Sequence, residues 1–139
     1  MSHHIVIVPK VTLGKWRQEI EEWFPTTRCF YFYGSKEERV DLVVQLRKHK
    51  FDILLTTFEM AMNEVTELSK IQWEYLILDE AQRIKNDEGK LSQLLRRRFN
   101  TRHKVLLTGT PLQNNLKELW ALLNFLMVRK EAPHHLQKD

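Results

Sequence analysis

Five short apolar runs recur along the chain with little polar–apolar alternation: Ile5 to Val8, Cys29 to Tyr33, Ile53 to Thr57, Tyr75 to Leu78 and Val105 to Leu107. A strand wetted on one face alternates at every second residue, so such runs predict strands covered on both faces, as in parallel sheets. Parallel strands cannot be joined by tight turns and need a crossover, usually a helix. Segments of helical period supply those crossovers. Trp16, Ile20 and Trp23 follow Thr12, a plausible cap, and Val40, Val43, Val44 and Leu46 follow Gly34 and the good N-cap Ser35. Leu91, Leu94, Leu95 and Phe99 form a third stripe, and Leu116, Leu119, Trp120 and Leu123 a fourth. Strand and helix in alternation predict an α/β domain with a parallel sheet flanked by helices.

Length and composition narrow the class. At 139 residues the chain is one domain or part of one. Its single cysteine, Cys29, excludes an internal disulfide framework and fits a reducing compartment. No apolar stretch approaches the ~20 residues of a membrane helix, and the start lacks the basic and long apolar regions of a signal peptide. His3-His4 and His134-His135 have no cysteine or carboxylate at zinc-ligand spacing. The net charge of +4 is local, because residues 83–104 carry eight basic and two acidic side chains. That block is either a phosphate-binding face or the solvated side of a helix. Arg96-Arg97-Arg98 spans most of a helical turn and suits a solvated helix end, whereas Arg83 and Lys85 are better placed for function. Trp16, Trp23, Trp73 and Trp120 read as core.

Ligands of open α/β sheets bind beyond the carboxyl ends of the strands. The residues there are Pro9-Lys10-Val11-Thr12, Thr56-Thr57-Phe58-Glu59, Asp79-Glu80-Ala81-Gln82 and Thr108-Gly109-Thr110-Pro111. An apolar strand ending in Asp79-Glu80 has the form of a Walker B element. One carboxylate could hold Mg²⁺, which favours oxygen ligands and phosphate partners, while the other orients the water that attacks a γ-phosphate. The same pair could also be a loop start or a helix cap. Thr108-Gly109-Thr110 offers hydroxyls and backbone N–H groups, or is simply a tight turn.

Taken together, Asp79-Glu80-Ala81-Gln82 and Leu107 to Asn114 resemble motifs II and III of the superfamily 2 helicase-like ATPases. Glu118 to Leu126 narrows the resemblance to chromatin-remodelling ATPases of the SWI/SNF and ISWI type. Val8-Pro9-Lys10 with Thr12, Leu13 and Trp16 is similar to that family's motif Ia, and Leu55 to Met60 to its motif Ib region. The resemblance runs from about residue 5 to 127. It implies most of a first RecA-like lobe over residues 1–128; the charged, Pro133-containing stretch 129–139 reads, from its composition, as a flexible tail. The resemblance further implies ATP and Mg²⁺ as nucleotide and cofactor, double-stranded DNA, nucleosomal histones, a second RecA-like lobe and remodelling-complex subunits as partners, and a nuclear location.

Carried over residue by residue, the resemblance implies catalytic roles for Asp79, Glu80 and Gln82, with Asp79 supporting Mg²⁺ through water. Asp79, Glu80, Thr108, Gly109 and Thr110 would contact or sense the nucleotide, and Pro9, Lys10, Thr12, Thr56 and Thr57 would face the phosphates of one DNA strand. Gln82 departs from the His that many relatives place there. A phosphate cradle needs Gly-x-x-x-x-Gly-Lys followed by Ser or Thr, and Gly14, Gly34, Gly89 and Gly109 are too far apart to make one. The chain is therefore expected to begin after that loop and to hydrolyse ATP negligibly by itself. A non-catalytic DNA- or protein-binding remnant of such a lobe is the alternative.

Overall fold

A computed structural model of the chain describes residues 2–80 and 98–107. Gln82, Thr108, Gly109, Thr110, most of the third helical stripe, the whole fourth stripe with Trp120, and the tail at 129–139 lie outside the described residues. All described residues fall in the first of two units, Met1–Gly109. In chain order the elements are β1 (His3–Val8), α1 (Lys10–Trp23), β2 (Cys29–Tyr31), α2 (Lys36–Leu46), β3 (Ile53–Thr57), α3 (Phe58–Asn63), α4 (Val65–Leu68), β4 (Gln72–Asp79) and β5 (Asn100–Leu107).

The strands form one sheet in the order β2-β3-β1-β4-β5, every neighbouring pair parallel. β1 is its middle, with Ile5 beside Leu54 of β3 and Leu76 of β4. All six residues of β1 and all five of β3 are buried, as unalternating apolar runs require. Side chains still alternate between faces. Ile5, Ile7, Leu54, Leu76 and Leu78 join a core cluster with Leu46 of α2, Met60 and Ala61 of α3 and Leu68 of α4. The intervening residues Val6, Val8, Leu55 and Ile77 are equally buried, as are Leu13, Trp16 and Ile20 of α1. Truncating a fully buried Trp such as Trp16 or Trp73 to Ala costs about 3–5 kcal/mol.

The amino end of the sheet is closed. His3 Nδ1 donates to the Phe51 carbonyl at 2.8 Å, and its ring packs against Phe51 and Trp73. Burial lowers the His3 pKa. Cys29, partly buried in β2, has its thiol pushed up to about 11 by burial, which leaves it a poor nucleophile.

Several local expectations are corrected. The N-cap of α1 is Pro9, in an extended conformation, and Thr12 sits inside the first turn with its hydroxyl donating back to the Pro9 carbonyl. Trp23 is exposed, its indole donating to Glu19 one turn earlier. On α2 the inward face is Leu42, Val43 and Leu46, while Val40 and Val44 point outward. β2 stops at Tyr31, while β4 and β5 begin several residues before their apolar runs. At the edge of the sheet, β5 keeps Leu106 largely exposed. No described helix is long and apolar enough to cross a membrane.

Candidate functional site

The carboxyl ends of β1, β3 and β4, together with the segment after β2, surround a cleft of about 540 Å³. Each wall follows from a local sequence choice. β1 ends at Val8 because Pro9 cannot donate to the sheet and its fixed φ suits the entry to a helix. α1 therefore starts at Lys10, and Pro9 and Lys10 line the cleft. The α1 amino terminus has no side-chain cap and no acidic residue in its first turn. Thr12 N–H is taken by the Pro9 carbonyl at 3.1 Å, and the N–H groups of Lys10 and Val11, which precede the first helical hydrogen bond, lie at the end that carries the lysine.

The second wall is Tyr33-Gly34-Ser35, leading into α2. Here a full capping box closes the helix end: the Ser35 hydroxyl accepts from Glu38 N–H, and the Glu38 carboxylate accepts from Ser35 N–H at 2.9 Å. Hydrogen bonds to that carboxylate from the Ser35 backbone N–H, first, and from the Ser35 side chain hold the Glu38 pKa below the ordinary carboxylate value. A Cβ on Gly34 would come within 2.9 Å of the Glu38 Cβ, so glycine lets the chain pass this close to the cap. Arg39, one turn into α2, pairs with Glu64 at 3.2 Å.

The third wall is the end of β3. Thr57 lines the cleft and caps α3 through an acceptor bond from Met60 N–H. Its neighbour Thr56 is fully buried, its hydroxyl donating to the Phe32 carbonyl at 2.7 Å. Thr56 and Thr12 are absent from the cleft lining, and Thr56 ties β3 to the segment leaving β2.

Asp79 and Glu80 form the fourth wall. Asp79 is the last residue of β4 and is almost wholly buried. Two residues after Ile77, it lies on the side of the sheet that α1 covers. The Trp16 indole Nε1–H donates to Asp79 Oδ2 at 3.0 Å, linking residues 63 positions apart. Glu80 follows in the left-handed region at φ 54, where a non-glycine residue costs roughly 1–3 kcal/mol. The chain thus turns sharply between the two carboxylates.

Of the residues singled out from sequence, the structure brings Pro9, Lys10, Thr57, Asp79 and Glu80 to one cleft. Glu59, named among the strand-end residues, lines it too, and the structure adds Tyr33, Gly34, Ser35 and Arg39, of which Tyr33 was marked as a strand end, Gly34 and Ser35 as the start of a helix, and Arg39 not at all. Trp16 also belongs to the site, although apolar periodicity marks it only as core. Among the described residues no three His, Cys, Asp or Glu groups form a metal cage. The donor set nevertheless fits Mg²⁺, which binds through one or two carboxylates and completes its shell with water and substrate phosphates. Cationic donors on one wall and carboxylates on another suit a ligand carrying both phosphate and a divalent ion.

The SNF2-related domain family matches residues 1–135. The chain is 52% identical over 124 residues to the ISWI chromatin-remodeling complex ATPase ISW1 of Saccharomyces cerevisiae, covering 88% of this chain and 11% of that protein. It is 51% identical over 125 residues to the ISWI chromatin-remodeling complex ATPase CHR17 of Arabidopsis thaliana, covering 89% and 12%. Against the S. cerevisiae transcription regulatory protein SNF2 the identity is 47% over 124 residues, covering 89% and 7%. The chain thus spans about a tenth of the length of these relatives. Among solved structures, the Sulfolobus solfataricus SWI2/SNF2 ATPase core in complex with dsDNA is similar at TM-score 0.65 and 30% identity, over 89% of this chain and 25% of that one.

Proposed function

This chain belongs to the SNF2-related domain family, whose RecA-like ATPase fold its parallel sheet shares, and from that premise we propose that it is the DNA-engaging, carboxylate-bearing part of an ATP-driven motor. The motor moves along double-stranded DNA and remodels nucleosomes in the nucleus, together with a second RecA-like lobe, histones and remodelling-complex subunits. The observation that carries this reading is the shared cleft: the uncapped, cationic start of α1 opens onto the space that Asp79 and Glu80 line.

The amino terminus of α1 and Lys10 bind a DNA phosphate through N–H groups, the dipole and charge. Such contacts carry no sequence information and suit a motor that must step along any DNA. Pro9 fixes where those donors point, and Thr12 braces the first turn through the Pro9 carbonyl. Thr57 aligns α3 by capping it, and Thr56 holds β3 against the neighbouring segment. When bound, Mg²⁺ supplies charge neutralisation at the phosphates of ATP. Asp79 would hold that ion. Glu80 orients the attacking water and takes up its proton. Gln82 assists at the γ-phosphate, and Thr108, Gly109 and Thr110 couple the nucleotide to DNA grip. The phosphate cradle is not among these 139 residues, so the chain alone hydrolyses ATP at no more than a trace rate.

Fluorescence anisotropy with duplexes of unrelated sequence tests the DNA half of the proposal. The expected result is equal affinity for all duplexes, falling steeply with salt. Binding that is absent, or strongly sequence-selective, sinks it. The enzymatic half is checked by ATPase assay with and without duplex. A rate near that of a whole motor, abolished by Glu80→Gln, overturns the view that the cradle lies elsewhere.

A further inference from the structure

We infer that Trp16 is a positioning residue of the nucleotide site: its indole N–H holds the Asp79 carboxylate in the orientation that binds Mg²⁺, joining the phosphate-facing helix to the metal-bearing strand. The inference rests on the reading of Asp79 given above.

Three observations carry it. The bond is direct and buried, Nε1–H to Oδ2 at 3.0 Å, with Trp16 fully buried and Asp79 almost so. Indole is a donor only, so the contact can form only with an acceptor, and the carboxylate that lines the cleft provides it. Trp16 also lies on α1, whose first residue is Lys10 at the mouth of that cleft, about 9 Å away along the helix axis at 1.5 Å per residue. A displacement of α1 by a phosphate at its amino terminus is therefore felt at Asp79 Oδ2.

The other buried indole shows what such a bond does elsewhere. Trp73 Nε1–H donates to the Leu68 carbonyl at 3.0 Å and fastens β4 to α4, remote from the cleft lining. Two fully buried tryptophans thus make bonds of equal length, one to a backbone carbonyl and one to a carboxylate of the candidate site. Outer partners that orient a metal-holding ligand typically contribute about 10–100-fold in metal affinity, and Trp16 stands in that relation to Asp79.

The test is an Mg²⁺ titration of the chain, with the ion alone as probe, followed by the amide resonances of Asp79 and Glu80 and the four indole N–H resonances. Trp16→Phe removes the donor and keeps an aromatic ring. It is expected to weaken Mg²⁺ binding about 10–100-fold, whereas Trp73→Phe, an equally buried change, leaves it within twofold. Asp79→Asn is expected to abolish the Mg²⁺ response. If Asp79→Asn leaves the response unchanged, the reading of Asp79 fails and the Trp16 inference falls with it. If Asp79→Asn abolishes the response but Trp16→Phe matches the wild-type chain, only the role of Trp16 is overturned. Should Trp16→Phe fail to fold, the chain with Trp16 intact decides: its Trp16 indole resonance must move on adding Mg²⁺ and on the Asp79→Asn change, while that of Trp73 does not. A Trp16 resonance that stays still in both overturns the inference.

Discussion

Of the three helices that begin on the cleft, α1 and α2 have amino termini built in opposite ways. α2 closes its own end with Ser35 and Glu38 in a reciprocal box and carries Glu37 beside them. α1 opens with Pro9 and Lys10, has no side-chain acceptor for its first N–H groups and no acid in its first turn. The α2 terminus is complete without a ligand and repels an anion. The α1 terminus has donors and charge in place for one. In a parallel α/β sheet every helix after a strand points its amino terminus to the ligand end, so topology alone cannot distinguish them. Capping chemistry does.

The largest way to break this contrast is to close α1 artificially. Pro9→Asp supplies a carboxylate that can accept from the first-turn N–H groups, and Lys10→Glu reverses the adjacent charge. Each is expected to lower duplex affinity by about tenfold or more and to reduce the salt dependence by about one counterion. Anisotropy at two salt concentrations measures both. An unchanged affinity in the two variants removes α1 from the DNA contact.

Next in size is the loss of the α2 cap. Ser35→Ala should cost about 1 kcal/mol of stability, read as a fall of about 4 °C in the thermal midpoint, with duplex affinity within twofold of wild type. A large loss of DNA binding without a change in melting would mean that α2, too, serves a ligand.

The smallest effect is a matter of pH. Hydrogen bonds from Ser35 lower the Glu38 pKa in the folded chain. The cap's contribution is therefore complete above the ordinary value of 4.5 and is lost as pH falls through the lowered folded value. Amide exchange in the first turn of α2 should speed up on acidification across that window, while the first turn of α1, which has no carboxylate cap, shows no matching step. Equal behaviour of the two helices would erase the distinction.

The sheet was legible because burial on both faces is written locally. Runs such as Ile5 to Val8 and Ile53 to Thr57 have no polar residue at every second place, and both became fully buried parallel strands. The ends of those strands also pointed to Pro9, Lys10, Thr57, Asp79 and Glu80, which do share a cleft. Less was legible where a residue's role depends on a distant partner. Trp16 and Trp23 fall on one helical stripe, yet Trp16 is fully buried and bonded to β4 while Trp23, at the end of α1, is exposed. On α2, four apolar positions fit a helical face almost as well as the true one. The choice is made by Leu42, Val43 and Leu46 packing on the core and by Arg39 reaching Glu64, neither of which is a periodicity. Thr56 and Thr57 are adjacent hydroxyls of the same type, and pleating alone sends one inside to Phe32 and leaves the other at the rim.

The central position of β1 has a consequence for the birth of the protein. This strand precedes both of its neighbours in the chain, with β3 starting at Ile53 and β4 ending at Asp79. At ribosomal rates of ~5–20 residues per second, roughly 4–14 s separate synthesis of Val8 from synthesis of Asp79. For that interval the β4-facing edge of β1 has no strand to pair with, whereas β3 can cover the other edge once Thr57 has been made. The nascent chain therefore carries one open edge of a buried strand for as long as β4 is unmade, and an open edge is a template for pairing with other chains.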